Sequence, residues 1–223
     1  NTTFAQNPGD FGSDDFYVGG CLWSLGSIRQ QLARYDDAIS DCEESRRVLL
    51  QTVSTNHMSV ALVNTTLAGC YQQIARFDEA RKLLAENLAI LERTIGRESL
   101  HAAIALNSLG LLDFAKGDSI AAEQKFRRSL EVREKNLGTN SVGYAAALNN
   151  LALALRSNGR TEEDITQLYE TSVRTIENSG GKDSPELATA LVNWSGIVET
   201  SGDLDSAVKL LQRALTIRSK AFG

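Results

Sequence analysis

Three cysteines (Cys21, Cys42 and Cys70) and two histidines (His57 and His101) are the groups with which this chain could do nucleophilic, redox or metal chemistry. Their spacing supports none of it. No Cys-x-x-Cys occurs, an odd number of thiols makes no disulfide framework, and the histidines stand 44 residues apart. The cysteines read as small buried hydrophobes of a reducing compartment. There is no His-Glu-x-x-His, no glycine-rich phosphate loop and no nucleophile elbow. The chain is therefore expected to have no catalytic residue, no cofactor and no metal, and not to be an enzyme.

What it does offer is uncharged hydrogen bonding at a fixed interval. The pairs Trp23-Ser24, Thr65-Thr66, Asn107-Ser108, Asn149-Asn150 and Val192-Asn193 follow one another at steps of 42, 42, 42 and 43 residues. Asparagine donates and accepts at once, so it can pair with both backbone groups of an extended peptide. Seven residues after the start of each pair come Gln30, Gln72, Phe114, Arg156 and Glu199. Arg156 has a planar fork suited to a carboxylate. The candidate partner-binding residues are thus Asn107, Asn149, Asn150, Arg156, Asn193, Gln72 and Phe114. A net charge of −5 with both signs mixed along the chain argues against a nucleic-acid surface, which needs a basic face. No apolar run approaches the roughly 18–20 residues that span a bilayer, so no membrane insertion is expected. An intracellular, cytoplasmic location fits. The chain opens on Asn1 rather than on a methionine, which leaves room for a targeting segment removed ahead of it.

The elements that position these residues follow from the same interval. Leu25-Gly26, Leu67-Ala68, Leu109-Gly110, Leu151-Ala152 and Trp194-Ser195 mark five repeats. Thirteen residues after the first residue of four of these pairs stands an alanine: Ala38, Ala80, Ala122 and Ala207. The fourth repeat has Asp164 there, and one extra residue in the turn around Glu162-Glu163-Asp164 puts Ile165 in the column instead. Between the two markers lie the similar phrases Ala33-Arg34-Tyr35-Asp36-Asp37-Ala38 and Ala75-Arg76-Phe77-Asp78-Glu79-Ala80. Gly117, Gly159 and Gly202 occupy the corresponding turn, where a left-handed residue ends a helix. Each repeat therefore reads as two helices. The first helices are expected over about 14–32, 58–74, 100–115, 142–157 and 185–200, and the second over about 35–52, 77–94, 119–136, 161–178 and 203–221. Ser184-Pro185 is a cap followed by proline at the first helical position, and His57 opens the second repeat structurally. Residues 1–13 read as a loop or tail. The repeats run over approximately 14–56, 57–98, 99–140, 141–183 and 184–223.

Small residues at the markers let the two helices of a repeat approach. Leu22, Leu106, Leu148 and Leu191 on first helices, with Leu84, Phe126, Tyr169 and Leu211 on second helices, are expected to fill the space between. The cluster Lys125-Phe126-Arg127-Arg128 reads as a solvated face. The Leu-x-x-Leu-Gly spacing at Leu22/Leu25-Gly26 and Leu106/Leu109-Gly110, with Ala122-x-x-x-Phe126, resembles the tetratricopeptide signature. The usual period of that family is about 34 residues. The 42-residue step resembles the kinesin light chain type, as do Ala147-Leu148-Asn149-Asn150-Leu151-Ala152 and Leu130 to Gly138.

The resemblance implies an all-α fold, a right-handed α-solenoid of about five helix-turn-helix repeats over residues 14–223, with first helices lining a concave groove. It implies a protein-interaction scaffold or adaptor that takes a partner peptide or helix in that groove. Two alternatives remain open: a structural subunit of a larger assembly, or the sensor domain of a longer signalling protein. The absence of a polar capping helix after Gly223 suggests a longer chain or a partner stacked on the last repeat. The cation cluster by which chaperone-binding members of the superfamily hold a terminal carboxylate is missing.

Overall fold

A computed structural model of the chain describes residues 13–55 and 57–222, and among them are ten α-helices and no strand. They are α1 (Ser13–Gln31), α2 (Tyr35–Thr52), α3 (Met58–Gln73), α4 (Phe77–Thr94), α5 (Leu100–Ala115), α6 (Ser119–Leu137), α7 (Val142–Ser157), α8 (Glu162–Ser179), α9 (Pro185–Thr200) and α10 (Leu204–Phe222). Every expected helix is present with ends within one residue of expectation. The expected tail lies outside the described residues apart from Ser13, which begins α1, and so does Gly223.

The helices fall into two compact units, Asn1–Arg97 with α1 to α4 and Glu98–Gly223 with α5 to α10. In the first unit the hairpins α1/α2 and α3/α4 stack through α2 on α3, and α1 lies beside α3. In the second, α5/α6, α7/α8 and α9/α10 stack through α6 on α7 and α8 on α9, with α5, α7 and α9 side by side.

Each hairpin turns through a left-handed residue. Gly117, Gly159 and Gly202 have φ of 85, 70 and 88°, and the first two repeats put Ala33 and Ala75 there at 57 and 60°. The turn between α7 and α8 holds four residues where the other four hairpin turns hold three. This is the inserted residue inferred from Asp164, and Ile165 is buried in its place. First helices begin on a repeated cap. The side chains of His57, Ser99, Ser141 and Ser184 each accept a backbone N–H of the first turn, at 3.2 to 3.3 Å. Pro185 follows the last of them at the first helical position.

Inside each hairpin the contact is too close for larger side chains. A Cβ on Gly110 would stand 2.6 Å from the Phe126 ring, and one on Gly26 would strike Cys42 Sγ. Ala38, Ala80, Ala122 and Ala207 are buried opposite. A buried polar column adds a bond in four of the five hairpins, Ala214 taking its place in the fifth. Ser45, Ser129 and Ser172 donate to the carbonyls of Gly19, Ala103 and Ala145 at 2.6 to 2.8 Å. Asn87 stands in the same column and donates to Thr65 Oγ1 at 2.8 Å.

Three expectations need correction. Cys42 and Cys70 are buried, but Cys21 is exposed, because its face of α1 carries no neighbouring helix among the described residues. Leu211 is exposed rather than core-filling, for the same reason on α10, where Ala207, Ala214 and Ile217 take the buried face. Lys125 is not a solvated cation, since its ammonium reaches back to Asp113 Oδ2 at 2.5 Å, and Asp113 is wholly buried on α5.

Two measurements follow. Gly110→Ala would gain helix propensity of about 1 kcal/mol but overpack against a buried ring at a cost of roughly 1–3 kcal/mol, so the midpoint of chemical denaturation falls. Gly20→Ala, which meets nothing within 4 Å in mid-helix, should raise that midpoint. The second measurement concerns alkaline pH. Burial pushes the Cys42 thiol up to about 12 from its ordinary 9, helped by Cys70 and Asp41 beside it. Burial likewise pushes the Tyr71 and Tyr169 hydroxyls up to about 12 from 10. All three are raised, so between the ordinary and the folded values the unfolded chain has released protons that the native chain retains. Stability is therefore full below pH 9 and declines as pH rises toward 12. Cys42→Ala and Tyr169→Phe should each flatten that decline in denaturation midpoints measured against pH.

Candidate protein-binding surface

One side of every first helix faces its hairpin partner, another faces the neighbouring hairpins, and the strip left over is where a partner can be met. In the second unit that strip consists of His101, Ile104, Ser108, Leu111 and Ala115 on α5, repeating as Gly143, Ala146, Asn150, Leu153 and Ser157 on α7. On α9 it becomes Glu186, Thr189, Asn193, Gly196 and Thr200. The spacing of three and four residues puts each set on one face. The character changes across the three helices. On α5 the strip is apolar, with Ile104 52 % and Leu111 39 % exposed. On α7 its residues are mostly small and half-buried, and on α9 they are mostly polar. In the first unit Leu62 on α3 is the exposed counterpart of Ile104.

The candidate asparagines join the helices of this strip, Asn150 and Asn193 from within it and Asn107 and Asn149 from the position beside it. Asn150 Nδ2 donates to Asn107 Oδ1 at 2.7 Å, linking α7 to α5. Asn193 Nδ2 donates to Asn149 Oδ1 at 3.3 Å, linking α9 to α7. Asn149 itself is buried, while Asn107, Asn150 and Asn193 are half-buried. The same diagonal recurs in the first unit, where Trp23 Nε1 donates to Thr66 Oγ1 at 2.9 Å. The asparagine pairs of successive first helices are thus tied to one another by their side chains.

Arg156 is exposed at the far end of α7 and donates through Nη2 to the Gly196 carbonyl on α9 at 3.0 Å. A Cβ on Gly196 would stand 2.7 Å from Arg156 Nη1, so a larger residue there would make the guanidinium shift. Phe114 is half-buried and packs on the core formed by Phe126, Leu151, Leu155 and Tyr169. Gln72 is half-buried on α3 in the first unit. Six of the seven candidates therefore gather on three adjacent helices, and Gln72 stands in the other unit.

Sequence reasoning missed Ile104 and Leu111. The available signal was that α5 is apolar on nearly every side, so that part of its apolar surface had to remain outside its hairpin. Among the described residues no group of His, Cys, Asp and Glu could hold a metal ion, and no helix is long and apolar enough to cross a membrane.

Comparison with known proteins agrees with this architecture. A family model described as tetratricopeptide repeat matches residues 20–93, 59–135 and 101–163, and a second of the same description matches 145–186. No curated protein matches the sequence. Among solved structures, the nearly identical TPR-like repeats of a Podosopora anserina protein described as a kinesin light chain are 20 % identical, with a TM-score of 0.74, and the match covers 95 % of this chain and 99 % of that one. BtubC (BKLC) from P. vanneervenii is 21 % identical with a TM-score of 0.75, covering 94 % and 83 %. A Rap protein complexed with Competence and Sporulation Factor is 14 % identical with a TM-score of 0.74, covering 93 % of this chain and 55 % of that one. At these identities the likeness is one of fold.

The asparagine links carry a stability consequence. Asn150→Ala removes a half-buried bond between α7 and α5, and its loss should cost about 1 kcal/mol in chemical denaturation. Ser157→Ala, on an exposed turn of the same strip, should cost nothing measurable.

Proposed function

The chain belongs to the tetratricopeptide repeat family, whose repeats serve protein–protein interaction, and on that premise we propose that it is a scaffold holding a partner peptide or helix across the first helices α5, α7 and α9. The observation that carries this reading is the pair Ile104 and Leu111, two large apolar side chains exposed on one face of α5, beside α7, whose strip carries no charge. An extended or helical segment can lie on such a strip without clash. Its apolar side chains would seat on α5 and its polar groups would meet Asn107, Asn150 and Asn193. Arg156 marks one end, where an acidic group of the partner would compete for the guanidinium that now meets the Gly196 carbonyl. Phe114 and Asn149 support the strip from beneath. The Rap conjugation regulator solved with the Phr* peptide offers a precedent in the same fold for a peptide partner. Catalysis has no part in this reading.

The natural partner need not be identified for the test. Peptides selected from a random display library on the folded chain are measured by isothermal titration against the Ile104→Glu, Leu111→Glu double variant. Burying an apolar contact against a new charge should weaken binding about a hundredfold. Circular dichroism should be unchanged, because both residues are exposed. If the selected peptides bind the double variant as tightly as the unaltered chain, recognition through α5 is wrong.

A further inference from the structure

The second helices α8 and α10 both pack on α9, and the groove between them holds a cavity of about 580 Å³. Trp194 and Val198 of α9 and Leu210 of α10 give it an apolar wall, while Glu170 of α8 and Lys209 and Arg213 of α10 place charges of both signs around it. The indole N–H of Trp194 is buried and meets no acceptor among the described residues. A small-molecule site typically has a volume of roughly 300–1,000 Å³, apolar walls and a few polar groups. None of these residues belongs to the strip on α5, α7 and α9.

The repeat shows what fills this place elsewhere in the chain. Counting from the markers, Val198 stands where α3 has Tyr71 and α7 has Leu155, and Ser201 stands where the end of α7 has Asn158. Tyr71 is buried, and its hydroxyl donates to Glu43 Oε1 of α2 at 2.6 Å. The Arg76 guanidinium, at the start of α4, lies 4.4 Å above the Tyr71 ring. Between α6 and α8, Leu155 is buried, and Asn158 donates to the Ser119 carbonyl at 3.2 Å and to Glu123 Oε2 at 2.7 Å. In the last groove Val198 is shorter than tyrosine or leucine, and the Ser201 hydroxyl turns back to the Val198 carbonyl at 2.8 Å. The cavity is the space that the shorter side chains leave. The acceptor is kept, since Glu170 stands in the column of Glu43.

We propose that this cavity binds a small aromatic ring carrying a hydroxyl group, seated as the Tyr71 side chain is seated between α2 and α4. The ring lies against Trp194, Val198 and Leu210, where the indole offers it an aromatic partner. The hydroxyl donates to Glu170, as Tyr71 donates to Glu43, and a carboxylate makes that bond stronger than a neutral acceptor would. A free phenol and the tyrosine side chain of a bound protein share this chemistry.

The chain has two tryptophans, so its proton–nitrogen correlation spectrum carries two indole N–H signals that test the idea directly. p-Cresol, the tyrosine side chain alone, should shift the Trp194 signal saturably with a dissociation constant of about 1 mM and leave the Trp23 signal in place. Toluene, the same ring without the hydroxyl, should bind about tenfold more weakly, and so should p-cresol to the Glu170→Ala variant. Val198→Tyr, which restores the residue of α3, should abolish the shift and raise the midpoint of chemical denaturation. N-acetyltyrosine amide separates the two sources: tighter binding than p-cresol assigns the site to a partner's tyrosine, and weaker binding assigns it to a free phenol. A Trp194 signal that p-cresol does not move overturns the proposal. So does toluene binding as tightly as p-cresol, or a folded Val198→Tyr chain that still binds. Glu170 is exposed, so Glu170→Ala should fold whatever becomes of Val198→Tyr, and undiminished binding by it equally overturns the proposal.

Discussion

The closeness of two helices within each hairpin governs the rest of the structure. Gly26 against Cys42 and Gly110 against Phe126 leave no room for a Cβ, and the alanines of the second helices are buried opposite. Small residues permit that approach and recur at the same two positions of the repeat, with Ile165 of the fourth repeat the exception. Once the backbones are this near, the hydroxyls of Ser45, Ser129 and Ser172 reach carbonyls of the facing helix. The turn that joins the helices must then reverse within three or four residues. It does so through a left-handed residue, even where that residue is Ala33 or Ala75 and the conformation costs roughly 1 kcal/mol.

From this closeness follows the narrowness of the surface left for recognition. A first helix spends one face on its hairpin partner and further faces on its neighbours in the stack. What remains is one residue every three or four. On α5 that strip is mostly apolar, on α7 mostly small and on α9 mostly polar, so its character is graded across the three helices. The asparagines in and beside the strip have a structural role, since their bonds hold adjacent first helices in register.

The fold was legible because it is periodic. Markers five times repeated placed the ten described helices to within a residue, and one break in the alanine column located the extra residue between α7 and α8. What was not legible had the same sequence signature in two environments. A serine within a helix carries no local mark of burial, and nothing in its neighbours in sequence says that Ser129 bonds the carbonyl of Ala103 on the facing helix. Lys125 stands near Glu123 in sequence and invited a surface pairing, yet its partner is Asp113 on the other helix of the hairpin. An asparagine that bonds a neighbouring helix and one that waits for a ligand look alike, which is why Asn149 was indistinguishable from Asn150. Likeness to known proteins added the family and the fold. It could not add the strip on α5, since that strip arises from residues outside the repeat signature.

In a stack whose cohesion is the sum of contacts between neighbours, recognition and stability are coupled. Asn107–Asn150, Asn149–Asn193 and Arg156–Gly196 each bridge two hairpins, so the strip exists in its recognising form only while α5, α7 and α9 are in register. A partner seated as proposed, across all three helices, would bind the stacked state and have little to hold on a separated hairpin. It would then stabilise the second unit by mass action, in proportion to the logarithm of its concentration over its dissociation constant. By the same coupling, loosening one of these bridges would weaken such binding at a distance from the contact. On that proposal the apolar pair on α5 would supply attraction, while the uncharged links between helices hold together the surface it belongs to.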